Sequence, residues 1–303
     1  MLSYLVMRNL TAIAPVLWGT TYLVTTELLP ADRPLLAGTL RALPAGLLLI
    51  AVARALPKGA WWWRAAVLGT LNIGLFFALL FVAAYRLPGG VAAVLGALGP
   101  FVVAGLAFGL LGQRPAGRVL LAGTAGLAGV ALLVLRSHTA LDPIGLAAAA
   151  GGMVSMSLGT VLGKRWGVPE GFAVRRTALL ALTGWQLTFG GLLLAPVALL
   201  VEGPPPALGW ANLAGFAYLS LAGTAGAYFL WFRGVTTMAP AQVTLFGLLS
   251  PVVAAAAGWA ALGQSLSAGQ LAGAALVLAA VVAGAGPSFK VGKSTMLKAV
   301  TAP

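Results

Sequence analysis

A single guanidinium, Arg41, lies inside a long apolar run, eight residues past Arg33 and so about 12 Å along a helix axis. Hydrocarbon expels such a charge, so it faces water or the interior of a helix bundle. There it pairs with Glu27, caps helix-end carbonyls, or attracts an anionic or zwitterionic solute. Other runs carry small sets of polar and aromatic groups. Phe216, Ser220, Thr224, Tyr228 and Trp231 recur at helical spacing. Trp18, Thr21, Tyr22 and Thr25 share an earlier run, Asn72 and Phe76 lie one turn apart in another, and Gln186 stands in a fourth. Hydroxyl, amide and aromatic groups on one face suit binding of an uncharged or weakly polar organic solute, with rings stacking on planar ligands. The same groups can instead tie helices together by hydrogen bonds worth about 0.6–2 kcal/mol each. Catalysis has no support. The one histidine, His138, has no partner cluster for a metal, and HExxH, GxSxG and Walker A sequences are absent. No cofactor or metal is expected.

The elements that must hold these residues are membrane helices. Of 303 residues, 60% are hydrophobic and 8% charged, and the mean hydropathy is +1.01. A soluble domain needs more polar surface than that. Ten apolar stretches read as spans: Asn9–Thr26, Pro34–Ala53, Trp62–Ala84, Gly89–Leu111, Ala116–Leu135, Pro143–Gly163, Thr177–Val201, Gly209–Phe232, Ala239–Leu262 and Leu266–Gly284. The first has no cleavage site of the A-x-A kind after it and reads as a retained helix. There is no cysteine, hence no disulfide framework.

The chain repeats itself. Gly96, Pro100, Gly112 and Gln113 recur 151 positions later as Gly247, Pro251, Gly263 and Gln264. Residues 1–140 and 141–286 are then two units of five helices each, followed by a basic tail at 287–303. An odd number of helices per unit makes the second cross the membrane in the opposite sense to the first, the inverted arrangement common in transporters. Pro100 and Pro251 each crowd the carbonyl of the glycine four residues back, Gly96 or Gly247. Both helices should therefore kink at equivalent depth, and a carbonyl freed there must face protein or a wet cavity. These four residues are expected to line a central cavity. The Gly105-xxx-Gly109 and Gly159-xxx-Gly163 pairs, and the ladder Gly123, Gly126 and Gly129, read as helix-packing faces.

The net charge of +13 is a matter of topology. With the N-terminus in the cytoplasm, the ten-helix trace puts 14 basic residues inside and only Arg33, Arg86 and Arg136 outside. Glu27, Asp32, Asp142 and Glu202 fall outside. The basic residues satisfy the positive-inside rule and meet anionic lipid heads, which argues against a nucleic-acid partner. Trp61, Trp62 and Trp63 read as part of an interfacial aromatic belt.

Several of these residues match a known pattern. Trp18-Gly19-Thr20-Thr21-Tyr22, Arg41, Ala84-Tyr85, Leu87-Pro88 and the paired Pro100/Gly112 and Pro251/Gly263 stretches resemble the EamA family of the drug/metabolite transporter superfamily. The strings Val24–Pro30, Arg41–Gly46, Leu71–Gly74 and Ala84–Gly90 are most similar to its PecM-like branch. The resemblance covers nearly the whole chain. It implies an all-α integral membrane protein with ten transmembrane helices in two inverted repeats, and a role in efflux of pigment or metabolite. One departure is specific. The family usually has Glu where this chain has Gln113 and Gln264, and an amide cannot take part in proton exchange.

The expected function is a non-enzymatic secondary transporter of the bacterial inner membrane, both termini cytoplasmic, exporting a small molecule by alternating access. Trp18, Tyr22, Arg41, Asn72, Phe76, Tyr228 and Trp231 are the candidate substrate-binding residues. Glu27 is the candidate for proton coupling, with facilitated diffusion or exchange equally compatible. A membrane sensor or assembly partner that moves nothing is the alternative. The glycine-rich outer faces suit a monomer or a homodimer.

Overall fold

The computed structural model describes residues 2–87, 89–134 and 142–284, without the side chains of 2–9, 22, 81, 84, 85, 89 and 90. The link that contains Arg136 and His138, and the tail at 287–303, lie outside the described residues. Within them the chain is helical and contains no strand. Eight helical stretches are long and apolar enough to cross a membrane: Pro34–Ala53, Trp61–Leu80, Val91–Leu111, Gly117–Val134, Pro143–Trp166, Arg175–Glu202, Trp210–Thr237 and Pro240–Leu262. Leu10–Gly19 and Ala268–Gly284 are shorter apolar helices at the two ends. The first expected span, Asn9–Thr26, is thus divided: α1 (Leu2–Gly19) stops at Thr20 and α2 (Thr21–Leu28) follows. Thr20 Oγ1 donates to the Leu17 carbonyl at 2.8 Å and lies 2.7 Å from the Tyr218 hydroxyl, so a side chain competes for the backbone at the break.

The remaining elements are α3 (Pro34–Ala53), α4 (Trp61–Gly69), α5 (Leu75–Arg86), α6 (Gly89–Gly96), α7 (Gly99–Leu111), α8 (Gly117–Val134), α9 (Pro143–Trp166), α10 (Arg175–Glu202), α11 (Trp210–Ser220), α12 (Ala227–Thr237), α13 (Pro240–Phe246), α14 (Leu249–Leu262) and α15 (Ala268–Gly284). Local chemistry sets their ends. Pro34, Pro143 and Pro240 open helices, where a missing N–H costs nothing. The Gly-Gln repeats close two others. Gly112 (φ +65°) and Gly263 (φ +64°) adopt the left-handed conformation that ends a helix. The Gln113 N–H then donates back to the Ala107 carbonyl at 3.2 Å, and the Gln264 N–H to Gly258 at 3.3 Å. That repeat is a helix-stop device.

Both proline repeats break their helices. α6 gives way to α7, and α13 to α14, through a tight turn in which Leu98 N–H donates to Leu95 and Leu248 N–H to Leu245. The effect is larger than a kink, because each proline stands four residues after a glycine, Gly96 or Gly247, with little helix propensity of its own.

A second repetition has no counterpart in residue identities. Between α4 and α5, Thr70–Gly74 forms a π-helical turn, and Leu221–Gly226 forms another between α11 and α12. Their starts, 70 and 221, are also 151 positions apart. A π turn bonds i to i+5, which leaves carbonyls poorly matched to N–H groups in the chain.

The helices join through glycine-lined seams. The most extensive contacts are α3 with α10 and α8 with α15. A Cβ on Gly46 would lie 2.5 Å from the Thr188 backbone nitrogen, and one on Gly191 2.9 Å from Leu43 Cα. Gly129 and Gly273 meet reciprocally, each against the other's carbonyl. Gly123 packs on Phe101, Gly126 on Leu248, and Gly159 on Asn72. The Gly105/Gly109 face differs from its expected role: no described atom comes within 4 Å of a Cβ built at either position. Large apolar side chains such as Leu200 and Leu121, 86% and 74% exposed, point away from the bundle, as they do when acyl chains are the solvent.

Charge closes the ends of the helices. The Glu202 carboxylate accepts from the N–H groups of Leu35 and Leu36 at 2.6 and 2.8 Å and so caps α3. Asp142 caps α9 through the Gly145 N–H at 2.7 Å and pairs with Arg86 at 3.4 Å. That N–H holds the Asp142 carboxyl below the usual carboxylate range, and Arg86 adds to the effect. The cap therefore holds at neutral pH and weakens as pH falls through its lowered folded-state pKa.

The glycine seams make a contrast measurable by thermal unfolding in neutral detergent. Gly46→Val forces a branched side chain into the Thr188 backbone and is expected to cost about 1–3 kcal/mol. Gly105→Ala meets open space and is expected to stay within about 0.5 kcal/mol of the parent. Equal effects from the two would remove the close seam as a source of stability.

Candidate functional site

The second π turn exposes the Gly223 carbonyl inside the bundle. Two side chains from distant helices reach it: Trp18 Nε1 of α1 at 3.1 Å and Arg41 Nη2 of α3 at 3.1 Å. Arg41 Nε also donates to Thr224 Oγ1 at 3.0 Å, and its guanidinium stands over the Phe77 ring, 5.1 Å from the centroid. Arg41 is 9% exposed, and no carboxylate is among these partners. Of the two structural partners expected, Glu27 is not used, and the carbonyl that Arg41 meets lies in a mid-helix π turn, not at a helix end. Glu27 lies exposed on α2.

Aromatic rings complete the cluster. Trp18 packs tilted against Tyr228 and Trp231, with centroids 5.0 and 5.1 Å apart, and Tyr228 continues to Phe232 at 5.6 Å. Tyr228 and Trp231 are each 2% exposed. Trp231 Nε1 is buried with no hydrogen-bond partner in the protein, and so is Thr21 Oγ1 of α2. A buried donor without a partner asks for one from water or a solute. Tyr22 is next to Thr21 on α2, with its side chain outside the described residues.

Asn72 and Phe76 fall elsewhere. Asn72 is on the first π turn and faces α9 and α10, where Asn72 Nδ2 donates to Gln186 Oε1 at 2.9 Å. Its Oδ1 lies against Gly159 and has no donor in the protein. Beside it is a void of about 10 Å³, at the lower limit for one water, lined also by Leu182 and Phe232. The Leu71 carbonyl of the same turn accepts from Ser155 Oγ at 2.8 Å. Phe76 is half-buried, 5.7 Å from Phe77. The two polar clusters are therefore linked through rings: Phe76 and Phe77 on one side, Tyr228 and Phe232 on the other.

The expected stripe from Phe216 to Trp231 divides in two. Phe216 packs with Leu29, Ala37 and Leu219 in a separate cluster, while Thr224, Tyr228 and Trp231 meet Arg41 and Trp18. The π turn between Ser220 and Tyr228 inserts a residue and rotates the two ends out of register. Pro100 is buried, Pro251 and Gly247 are half-buried, and Gly96 is exposed with no described neighbour within 4 Å of a Cβ. The tryptophan triplet also divides. Trp62 and Trp63 are about half exposed, as an interfacial belt requires, while Trp61 packs 6.3 Å from Trp185.

Sequence reasoning missed Phe77, Gly223 and Ser155, and read Gly159 as a packing residue without its neighbour Asn72. No signal marked the π turns, whose segments Thr70–Gly74 and Leu221–Gly226 share no residue at equivalent positions. Gln186 was legible as a polar group in a membrane helix, but its partner was not.

Comparison with known proteins agrees with this architecture. The EamA-like transporter family matches residues 9–135 and 143–283. Protein PecM of Dickeya dadantii (strain 3937) is 47% identical over 269 residues, 89% of each chain. The uncharacterized inner membrane transporter YedA of Escherichia coli (strain K12) is 28% identical over 261 residues, 83% of this chain and 81% of YedA. A solved crystal structure of a protein 20% identical in sequence has a TM-score of 0.75, over 92% of this chain and 96% of that one, and so shares the fold. With two family matches spanning almost the entire length, this chain belongs to the EamA-like transporter family.

Proposed function

We propose that the protein is a secondary transporter that exports a small organic metabolite from the cytoplasm by alternating access, and that Arg41 and its aromatic neighbours form its substrate site. The observation that carries this is a buried cation held only by dipoles and a ring face, beside an indole N–H with no partner in the protein. A charge and an unpaired donor in lipid-embedded helices are costly, and they suit a solute that brings an acceptor or an anion. The surrounding Trp18, Tyr228 and Trp231 rings favour a planar substrate. Asn72, Phe76 and Tyr22 are assigned to the path on either side, and the broken helices at Gly96–Pro100 and Gly247–Pro251 to its walls.

Ten spans in two inverted repeats are part of the same reading. Packing supports it: α5 meets α9 as α12 meets α1, and α7 meets α9 as α14 meets α1. Each pair maps onto its counterpart when the halves are exchanged, as a two-fold axis in the membrane plane requires. The membrane is assigned as the bacterial inner membrane, with both termini cytoplasmic. The basic residues favour that orientation, and the relative YedA is named for that membrane.

Three measurements test the reading. Ala60 and Ala211 hold equivalent places in the repeat and are both exposed, and the chain has no cysteine of its own. Ala60→Cys is expected to react with a membrane-impermeant thiol reagent only from the cytoplasmic side, and Ala211→Cys only from the outer side. Labelling of both from one side removes the inverted arrangement. For the site, Arg41→Met replaces a buried cation by an apolar chain of similar length, a change that is often near neutral for stability. Its melting is expected to stay within about 1 kcal/mol of the parent, while transport into proteoliposomes falls at least about 10-fold. A variant that melts normally and transports normally removes Arg41 from the site. For coupling, Glu27→Gln is expected to abolish the response of transport to an imposed pH gradient and to leave downhill flux intact. Full gradient response in that variant assigns the coupling elsewhere or to plain exchange.

A further inference from the structure

At the end of the bundle opposite Glu202 lies a cleft of about 180 Å³ between the start of α10 and the end of α12. Its wall is strongly cationic. Arg175, Arg176 and Arg233 line it together with Thr237, over an apolar floor of Leu179 and Phe229. Arg175 and Arg176 are exposed and Arg233 half-buried. Lys164 of α9 stands close by and donates to the Thr236 carbonyl at 3.1 Å, and the exposed Arg165 follows it. The one acidic residue in this region, Glu170 on the α9–α10 connection, is exposed and makes no ion pair among the described residues. No acidic residue occupies the first turn of α10, so the positive end of that 28-residue helix adds to the guanidiniums.

Cations gathered this closely repel one another unless an anion joins them. The volume exceeds what one water needs many-fold. Three planar guanidiniums offer forked N–H pairs suited to a tetrahedral oxyanion. The apolar floor would be wasted on a fully hydrated ion, but it suits the glycerol and first methylenes of a lipid. We propose that this cleft is a binding site for the phosphate of an anionic phospholipid, with Arg175, Arg176 and Arg233 around the phosphate and Phe229 and Leu179 beneath its apolar portion. The site lies at the ends of two membrane-crossing helices, the depth at which lipid phosphates sit. It is separate from the Arg41 cluster, and it stands or falls independently of the substrate assigned there.

The test uses the full chain purified in neutral detergent, with unfolding followed by tryptophan fluorescence. Phosphatidylglycerol, phosphatidylcholine and inorganic phosphate are titrated separately at constant ionic strength. Phosphatidylglycerol is expected to raise the melting temperature saturably, and phosphatidylcholine to leave it unchanged. The double substitution Arg176→Gln/Arg233→Gln is expected to weaken the apparent affinity for phosphatidylglycerol roughly 10-fold or more, while Lys58→Gln, on a loop away from the cleft, has no effect. Stabilisation by inorganic phosphate equal to that by the lipid, lost in the same double variant, keeps the phosphate site and assigns it a soluble source. Thr237→Glu, at an exposed position on the rim, places a carboxylate beside the guanidiniums and decides the matter if the double variant does not fold. The proposal is overturned if neither form of phosphate stabilises the protein, or if the phosphatidylglycerol titration is the same in the cleft variants as in the parent.

Discussion

In a bilayer every backbone polar group must find its partner within the protein, and the interior of this chain is arranged around two π turns where the regular α ladder is interrupted. Each π turn presents a carbonyl that a side chain from another helix reaches. Ser155 of α9 answers the first, at Leu71, and Trp18 and Arg41 answer the second, at Gly223. The residues proposed to bind substrate are thus gathered around a π turn. Trp18 reaches the centre because a carbonyl draws its indole, and the rings of Tyr228 and Trp231 pack around it. Arg41 has no carboxylate partner among the described residues, and a carbonyl, a hydroxyl and a ring face together take the place of water around its guanidinium.

How far the sequence revealed this depends on the kind of signal. Spans follow from hydropathy and are plain in the central eight. The terminal two are weaker, because Thr20 interrupts one and the other has only 17 helical residues. The interruptions near Pro100 and Pro251 follow from the chemistry of proline, but as full breaks at 97–98 and 247–248, just ahead of each proline, where a kink was expected. Arg41 could be assigned to the interior because hydrocarbon leaves a guanidinium no other choice. Its partner could not be named, since the π turn that frees Gly223 leaves no mark in residue types. The same turn explains why a stripe drawn at i, i+4 from Phe216 joined residues that lie in separate clusters. The Gly105/Gly109 pair shows the limit of small-residue patterns, which mark a surface able to pack but not the helix that packs there.

Charge divides the bundle between its two ends. At one end, carboxylates are used as caps, Glu202 on α3 and Asp142 on α9. At the other, cations collect with little to oppose them, and Arg64 stands over the rings of Trp61, Trp63 and Trp166. That division leaves one rim rich in groups that prefer an anion nearby.

The glycine seams carry a consequence for motion. α3 belongs to the first half of the chain and α10 to the second, and the same holds for α8 and α15. Both seams bring backbone against backbone, with no flexible side chain between them to act as lubricant. Prising the halves apart as blocks would tear the closest contacts in the protein. In the proposed alternating access, each moving body would therefore be woven from both halves, with the sliding boundary cutting across the order of the sequence.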